Sequence, residues 1–293
     1  MPAKKIALSI HAGAGTYPKN LDRTKKIQKK LGQLCQKGYR YLRTHTAVET
    51  VAEIVRWLED WPETNAGTGS MLQSDGTARL SASLMDGKEG KFSGVINIEK
   101  IKNPILVAKL LQMEKDRVLS DEGAQGFARK KGFKSFDPRT KKSIERWKDL
   151  LRHNTQPVFQ HKYGTVGACA LDRHGYLAAA TSTGGRGMEC IGRVSDSATP
   201  AGNFANHYAA CSATGIGEDI VDESLASTLV MRATDWKSLE KSFRKTFEEA
   251  KERHRKFAAI GLDQNGQAFW NQTTDIFYYS SITPYNSKIF NFQ

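Results

Sequence analysis

The polar residues that could take part in chemistry are few and widely spaced along the chain. Gly164-Thr165 lies at the junction between a charged segment and a strand of buried type. A threonine hydroxyl can serve as a nucleophile, but a threonine that opens a strand is ordinarily β-branched sheet material. Arg193 and Asp196, three residues apart, can form an ordinary surface ion pair. Taken one at a time, these residues do not select a reaction.

The sequence lacks the common catalytic motifs. It contains no G-x-S-x-G, no G-x-x-x-x-G-K-[ST], no H-E-x-x-H and no G-x-G-x-x-G after a strand. These absences argue against serine hydrolases, ATPases and zinc proteases. His11 follows an apolar strand, and we expect it to be a packed or hydrogen-bonded structural residue. The cysteines form no C-x-x-C pair and are expected to be reduced, mostly buried thiols: Cys35, Cys169, Cys190 and Cys211.

The spacing of apolar residues indicates the elements that must position any site. It predicts strands over residues 5–10, 78–84 with 92–98, 165–171 with 177–183, and 257–262 with 267–271. It predicts helices over residues 48–58, 216–235 and 237–256, and a helical region over 104–131 that begins at 103–104 and again near 120–122. Strands cluster in both halves of the chain with helices outside the clusters. This order favours one layered α+β domain with antiparallel pairing.

Charge is distributed unevenly along the 293 residues, which carry a formal net charge of +13. Residues 129–162 hold eleven Lys/Arg against three acidic residues. We predict a mobile basic linker over about 133–162, with a weak helical stretch from 144 to 151. A basic protein that tracks nucleic-acid phosphates is the alternative. The lysines lack interleaved aromatic residues and no recognised binding module is present, so we expect no nucleic-acid partner.

Composition and hydropathy give no sign of a membrane or secreted protein. The 39% apolar and 26% charged residues are typical of a globular domain. The apolar run near residue 6 is shorter than a signal-peptide core, and no stretch reaches about 18 apolar residues. We therefore expect a cytoplasmic protein without membrane association.

Three runs in the second half of the chain resemble one known family. They are residues 164–172 (GTVGACALD), 178–185 (AAATSTGG) and 192–197 (GRVSDS). In this order and spacing they resemble the plant-type asparaginase and isoaspartyl peptidase family of N-terminal-nucleophile hydrolases. Residues 10–16, 65–67 and 213–218 add to the likeness, which runs from about residue 6 to 271.

The resemblance implies a precursor that cuts itself between Gly164 and Thr165, giving an α chain of 1–164 and a β chain of 165–293. Thr165 then carries both the nucleophilic hydroxyl and a free α-amine. Because an α-amine has a pKa of about 7.7–8.0 in model peptides, it is a usable base near neutral pH. The implied fold is a single domain with four layers in αββα order, two antiparallel sheets between helical layers. The implied assembly is a dimer of α/β heterodimers.

The resemblance also implies roles for the residues of the active site. Thr214, through its hydroxyl, and Gly215, through its backbone N–H, stabilise the oxyanion. Thr183 hydrogen-bonds the nucleophile, and Asn65 lies near the scissile bond.

Substrate recognition follows the same pattern. Arg193 binds the α-carboxylate of the substrate, a task suited to its planar guanidinium, and Asp196 binds the α-ammonium. The backbone of Gly215 and Gly217 also meets the substrate.

The implied activity is hydrolysis of β-aspartyl dipeptides and of the side-chain amide of L-asparagine through a threonyl acyl-enzyme, with no organic cofactor. A glycosylasparaginase of the same fold and an uncut pseudoenzyme are the alternatives. Residues 186–191 (RGMECI) depart from the family pattern beside Arg193, which leaves the choice among these substrates open. Tyr163 stands where the family often has histidine.

Residues 58–68 match, without gaps, a family loop that holds a structural sodium ion. Backbone carbonyls are the implied ligands, from Leu58, Glu59, Trp61, Thr64, Ala66 and Thr68.

Overall fold

The computed structural model describes residues 5–16, 21–153 and 164–285. The helices are α1 (Leu21–Leu42), α2 (Ala47–Glu59), α3 (Pro104–Leu111), α4 (Asp121–Lys130), α5 (Lys141–Arg152), α6 (Gly217–Asp222), α7 (Leu225–Trp236) and α8 (Leu239–Glu252). The strands are β1 (Ala7–Gly15), β2 (Leu80–Asp86), β3 (Lys91–Ile98), β4 (Val118–Ser120), β5 (Val166–Leu171), β6 (Leu177–Thr183), β7 (Asn203–Ala205), β8 (Ala209–Gly215), β9 (Phe257–Asp263), β10 (Ala268–Gln272) and β11 (Ile276–Ile282).

The strands form two sheets. One has seven strands in the order β11-β1-β5-β6-β2-β3-β4, and the other has four in the order β10-β9-β8-β7. The three predicted hairpins are confirmed as antiparallel pairs: β2 with β3, β5 with β6, and β9 with β10. The prediction of antiparallel pairing is wrong at one place, since the short edge strand β4 runs parallel to β3.

Alternate side chains of the central strands point to different layers, as the pleat of a strand requires. In β5, Val166, Ala168 and Ala170 pack with residues of α2 in one apolar cluster. The alternate residues Cys169 and Leu171 pack against Ile260 and Leu262 of the other sheet. A third cluster joins the far face of the four-stranded sheet to α7 and α8. The layers therefore run helix, sheet, sheet, helix around the described core.

Both sheets expose small residues where they face each other, and this lets polar side chains bridge them. Ala179 on β6 and Ala210 on β8 are fully buried in the cluster between the sheets. Thr181 Oγ1 on β6 lies 2.8 Å from Ser212 Oγ on β8. The sheets thus meet through paired hydroxyl groups as well as apolar contacts, close to the start of β5.

Several elements differ from the sequence-based predictions. The helical region over 104–131, expected to begin at 103–104 and again near 120–122, consists of α3 and α4, and the unpredicted strand β4 lies between them. The helix expected over 216–235 is divided into α6 and α7. Helix α1 and strand β11 were not predicted.

The basic segment contains a full helix. Helix α5 begins after Thr140, whose hydroxyl accepts a hydrogen bond from the Ser143 N–H. Residues 154–163, which include Tyr163 and the end of the expected linker, lie outside the described residues. Mobility of the linker stays a prediction. Among the described helices, none combines the length and apolarity needed to cross a bilayer.

Candidate active site

Thr165 lies directly before β5, between β1 and β6 in the seven-stranded sheet. Its side chain is buried, and its Oγ1 lies 3.2 Å from Thr183 Oγ1, to which it can donate a hydrogen bond. Ser197 Oγ lies 3.5 Å from the same atom. Thr183 is the last residue of β6, and its Oγ1 also accepts a hydrogen bond from the Gly185 N–H at 3.2 Å. The sheet therefore holds the predicted nucleophile in a cluster of hydroxyl groups.

A cavity of about 230 Å³ opens at Thr165. Nearly all the residues predicted for the site line it, although they come from distant parts of the sequence: Asn65, Gly164, Thr165, Thr183, Arg193, Asp196, Gly215 and Gly217. Thr214 lies just behind the lining. A methyl group placed on Gly164 would be 3.2 Å from Thr214 Oγ1. The fold thus brings the predicted residues together around the Gly164–Thr165 bond.

Thr214 and Gly215 end strand β8. Thr214 Oγ1 is buried and has no hydrogen-bond partner among the residues that the structure describes. An unpaired buried hydroxyl costs about 1–3 kcal/mol, so its position calls for an acceptor that is not part of the resting protein. Gly215 has φ of 149°, and a side chain there would meet Phe257 Cα at 2.5 Å. Only glycine suits this close approach of β8 and β9.

Arg193 and Asp196 occupy one wall of the cavity. Arg193 Nε and Nη2 donate to the two Glu218 carboxylate oxygens at 2.9 and 3.1 Å. Burial acts to lower the pKa of Arg193, yet the hydrogen bonds and charge of Glu218 hold it above its ordinary value. Burial raises the pKa of Asp196 to about 6, although Ser195 Oγ donates to it at 3.0 Å.

Gly217 fits between these two side chains. A methyl group at this position would lie 2.5 Å from Arg193 Nη2 and 2.9 Å from Asp196 Oδ1. The cationic and anionic groups therefore lie side by side against a backbone without a side chain. Such a wall can receive a ligand that carries both a carboxylate and an ammonium group.

Asn65 secures the turn that follows β6. Its Nδ2 donates to the Gly185 carbonyl, and its Oδ1 accepts from the Met71 N–H at 2.8 Å. The Asn65 carbonyl accepts from the Gly184 N–H at 2.8 Å. Asn65 thus lines the cavity and also stabilises the turn at Gly184-Gly185 beside it.

The loop predicted to hold sodium closes largely through its own hydrogen bonds. Thr64 Oγ1 donates to the carbonyls of Leu58 and Trp61 at 2.7 and 2.8 Å, and the Thr68 N–H donates to the Glu59 carbonyl at 2.9 Å. Thr68 Oγ1 is buried without a partner. This orphaned oxygen, among carbonyls gathered in a tight loop, fits an oxygen-ligated cation. Within the described ranges, no group of His, Cys, Asp and Glu side chains could hold a metal.

Several charged residues in or beside the cavity were not predicted as site residues. Glu218 belongs to the run 213–218, but that run gave no reason to pair its carboxylate with Arg193. Glu189, within the departing segment 186–191, accepts from the Arg186 N–H at 3.1 Å and lies 4.0 Å from Arg193 Nη1. Arg146 of α5 also lines the cavity, although the sequence showed it only as one charge among many.

His11 has the structural role expected of it. It is fully buried, and its Nε2 lies 2.8 Å from Ser212 Oγ, which joins β1 to β8. Burial lowers the pKa of His11 to about 3. Cys35, Cys169 and Cys211 are buried free thiols and Cys190 is an exposed one.

Comparison with known proteins agrees with the geometry. Residues 4–289 match the family described as asparaginase. The chain is 45% identical over 285 residues to an isoaspartyl peptidase/L-asparaginase of Nostoc, covering 92% of this chain and 89% of that protein. It is 38% identical over 249 residues to a plant-type L-asparaginase of Pyrococcus horikoshii, covering 79% of each. It is 36% identical over 232 residues to an isoaspartyl peptidase of Escherichia coli, covering 73% of this chain and 72% of that protein.

The site and these matches define a hydrolase. The chain belongs to the asparaginase family.

The buried His11 makes stability depend on pH in a defined direction. Since its pKa falls from 6.5 to about 3 on folding, the unfolded chain binds a proton that the folded chain excludes between these values. The free energy of unfolding should therefore decrease as pH falls below 6.5, by about 1.4 kcal/mol per pH unit from this group. His11→Gln should remove that part of the slope in urea unfolding from pH 6.5 to 4.5.

The comparison is best made in a Thr165→Ala background, in which the self-cleavage expected from the sequence is excluded. His207→Gln, which replaces an exposed histidine, is the control and should keep the full slope. Equal slopes for the two variants would show that His11 is protonated in the folded protein.

Proposed function

We propose that the protein is a self-processing amidohydrolase that cleaves β-aspartyl dipeptides and the side-chain amide of L-asparagine through a threonyl acyl-enzyme. One observation carries the proposal: the Thr165 hydroxyl shares a cavity with a side-by-side arginine and aspartate that match the two charged groups of an amino acid. The relatives named isoaspartyl peptidase/L-asparaginase support this choice of substrate.

Self-cleavage is the first reaction of the site. Thr165 Oγ1 attacks the Gly164 carbonyl carbon, the Gly164–Thr165 C–N bond breaks, and the hydroxyl proton passes to the departing Thr165 nitrogen. The ester that results is hydrolysed by water, which leaves a Gly164 carboxylate and a free Thr165 amine and hydroxyl. Thr183 Oγ1, 3.2 Å from Thr165 Oγ1, orients the hydroxyl for this attack.

Hydrolysis of the substrate repeats the same chemistry in two steps. The Thr165 amine takes the hydroxyl proton while Oγ1 attacks the side-chain carbonyl of the aspartyl unit. The Thr214 hydroxyl and the Gly215 N–H donate to the oxyanion. The leaving amine takes the proton, and water then attacks the aspartyl ester to release aspartate and restore Thr165.

Recognition uses the groups that remain available on the cavity wall. Glu218 engages Arg193 Nε and Nη2, so the substrate α-carboxylate would approach Nη1, whose acidic neighbour Glu189 is 4.0 Å away. The Asp196 carboxylate receives the α-ammonium. Since a β-aspartyl dipeptide and asparagine share this amino acid head, one wall serves both substrates.

The fold and assembly follow the same proposal. The helix, sheet, sheet, helix order supports an αββα sandwich of the N-terminal-nucleophile type, and we propose a dimer of α/β heterodimers. Backbone carbonyls of residues 58–68 would hold a sodium ion. The ion would stabilise the conformation of this loop, which contains Asn65. A cytoplasmic location stays a prediction.

Self-cleavage should depend on the Thr165 hydroxyl. At pH 8 the wild-type chain should give two masses, for residues 1–164 and 165–293, while Thr165→Ala should stay whole and inactive on L-asparagine. Intact-mass analysis over several hours measures this. Thr44→Ala, at an exposed threonine, should cut like the wild type. A wild-type chain that stays whole and inactive would identify an uncut pseudoenzyme.

The orphaned Thr214 hydroxyl should act mainly in the transition state. Thr214→Val keeps the shape of the side chain but removes the donor, so kcat on L-asparagine should fall about 10²–10³-fold with little change in KM. Thr214→Ser should retain most of the activity. Each rate is divided by the concentration of cleaved protein, which intact-mass analysis measures. A proportional rise in KM with unchanged kcat would instead place Thr214 in ground-state binding.

The activity should show two ionisations on its acid side. Below about pH 7.7 the Thr165 amine takes up a proton, so log kcat/KM should fall with a slope of one. Below pH 6 the Asp196 carboxyl, whose pKa is about 6, also becomes neutral and the slope should reach two. In Asp196→Asn the overall activity should be lower and the slope should stay at one.

The measurement is kcat/KM for L-asparagine from pH 5 to 8, with recovery of activity at pH 8 as the control for unfolding. A wild-type slope that stays at one below pH 6 would show that Asp196 does not bind the ammonium as a carboxylate.

A further inference from the structure

Helix α5 packs against the rim of the catalytic cavity. The Trp147 ring covers Gly76, where a methyl group would lie 2.9 Å from Trp147 Cζ2. Trp147 Nε1 donates to the Ser74 carbonyl at 3.3 Å, and Lys142 Nζ lies 3.1 Å from Glu63 Oε1. The Gly69 N–H donates to the Pro138 carbonyl, just before the helix, at 2.8 Å. Contacts of four kinds thus fix this part of the basic segment to the body.

This placement brings the Arg146 guanidinium to the cavity that contains Thr165. Arg146 also lines a smaller neighbouring cavity of about 30 Å³, which shares Asn65 and Met71 with the main one but contains neither Arg193 nor Asp196. Arg146 therefore belongs to a different wall from the residues that receive the amino acid head.

The Arg146 guanidinium is poorly compensated. Its Nη1 is buried without a hydrogen-bond partner, and burial alone lowers its pKa from the ordinary value. In the part of the chain that the structure describes, no acidic side chain forms an ion pair with it. Arg146 is only partly buried, but a cation with a buried, unpartnered N–H group is costly, and the cost is relieved when an anion binds.

The other charges of the cavity are already matched. Arg193 is paired with Glu218 and lies beside Asp196. Arg186, which is half exposed, lies 3.9 Å from Glu218 Oε1. Arg146 is thus the cation whose charge no neighbouring acid balances among the described lining residues.

The two proposed substrates differ by one negative charge on the leaving group. L-asparagine releases ammonia, whereas a β-aspartyl dipeptide releases an amino acid whose own α-carboxylate is ionised in the substrate. We propose that Arg146 binds the α-carboxylate of the leaving residue, which makes it the determinant of specificity for β-aspartyl dipeptides over asparagine. The inference rests on the proposed function and adds a second carboxylate site to it.

The test compares three substrates: β-Asp-Leu, its C-terminal amide β-Asp-leucinamide, and L-asparagine. Arg146→Met keeps the length of the side chain and removes the charge. It should lower kcat/KM for β-Asp-Leu by about 10–100-fold, as expected for one charged hydrogen bond, and change that for L-asparagine by less than about twofold. It should scarcely affect β-Asp-leucinamide, which the wild type should already cleave less efficiently than β-Asp-Leu.

Arg152→Met is the matched control, because it removes the same charge from an exposed position on the same helix. It should leave all three rates near those of the wild type. All proteins are assayed after complete cleavage, confirmed by mass, so that a slower self-processing step does not enter the rates.

Two outcomes would overturn the inference while the proposed function stands. Arg146→Met could lower the three rates equally, which would make Arg146 a structural residue of the cavity. Arg146→Met could also raise the three rates, which would show that Arg146 obstructs access to the cavity. A wild-type enzyme that is cut but inactive on all three substrates would overturn the proposed function itself.

Discussion

The proposed active site depends on one constraint: its nucleophile, Thr165, stands at the start of an interior strand, and the amine it needs must arise there. Thr165 precedes β5, which is paired on both sides, with β1 and with β6. A free terminus at this point is difficult to place during folding, because the strand must find two partners that are distant in sequence. Cleavage after folding avoids the problem. Under the proposed function, Thr165 is already placed in the sheet before the cut, and the amine is then produced where it is needed.

The polar contacts between the sheets explain how this position stays rigid. Ser83 Oγ donates to the Ser197 carbonyl at 2.6 Å, which ties β2 to the turn carrying Asp196. His11, Ser212 and Thr181 connect three strands beneath Thr165. Buried hydroxyl groups that are paired in this way fix one geometry, whereas Thr214 Oγ1 is left unpaired. In the proposed reaction the cost of that orphaned group is recovered when the oxyanion forms, and preorganisation of this kind favours the transition state over the ground state.

Local patterns in the sequence were sufficient for the hairpins but not for the distant pairings. The turns Asp86-Gly87 and Asn265-Gly266 lie between strands that pair with their nearest neighbours, so spacing and turn residues predicted them. Strand β11 pairs with β1, far away in sequence, and both of its faces are buried, so no alternation marked it. Helix α1 did carry a signal, since Ile27, Leu31 and Leu34 recur at helical spacing, but its dense lysines obscured it.

The same limit applies to the site. Thr165, Arg193 and Asp196 were located because their neighbours in sequence form a family pattern. Glu218 could not be assigned in this way, because its partner Arg193 is 25 residues away and an acidic residue near a helix start is ordinarily explained by the helix itself. Contacts between loops that approach only in the folded chain leave no periodic trace.

The basic segment shows why a count of charges does not identify a partner. Eleven cations in one stretch favour a solvated linker or a phosphate-binding surface, but the structure separates them by environment. Lys142 pairs with Glu63 and Arg152 is exposed, whereas Arg146 lies at the cavity. Its position also constrains the cut enzyme. If the chain is cut as proposed, α5 belongs to the α chain, so the α chain has to remain bound for the cavity to keep its second cation.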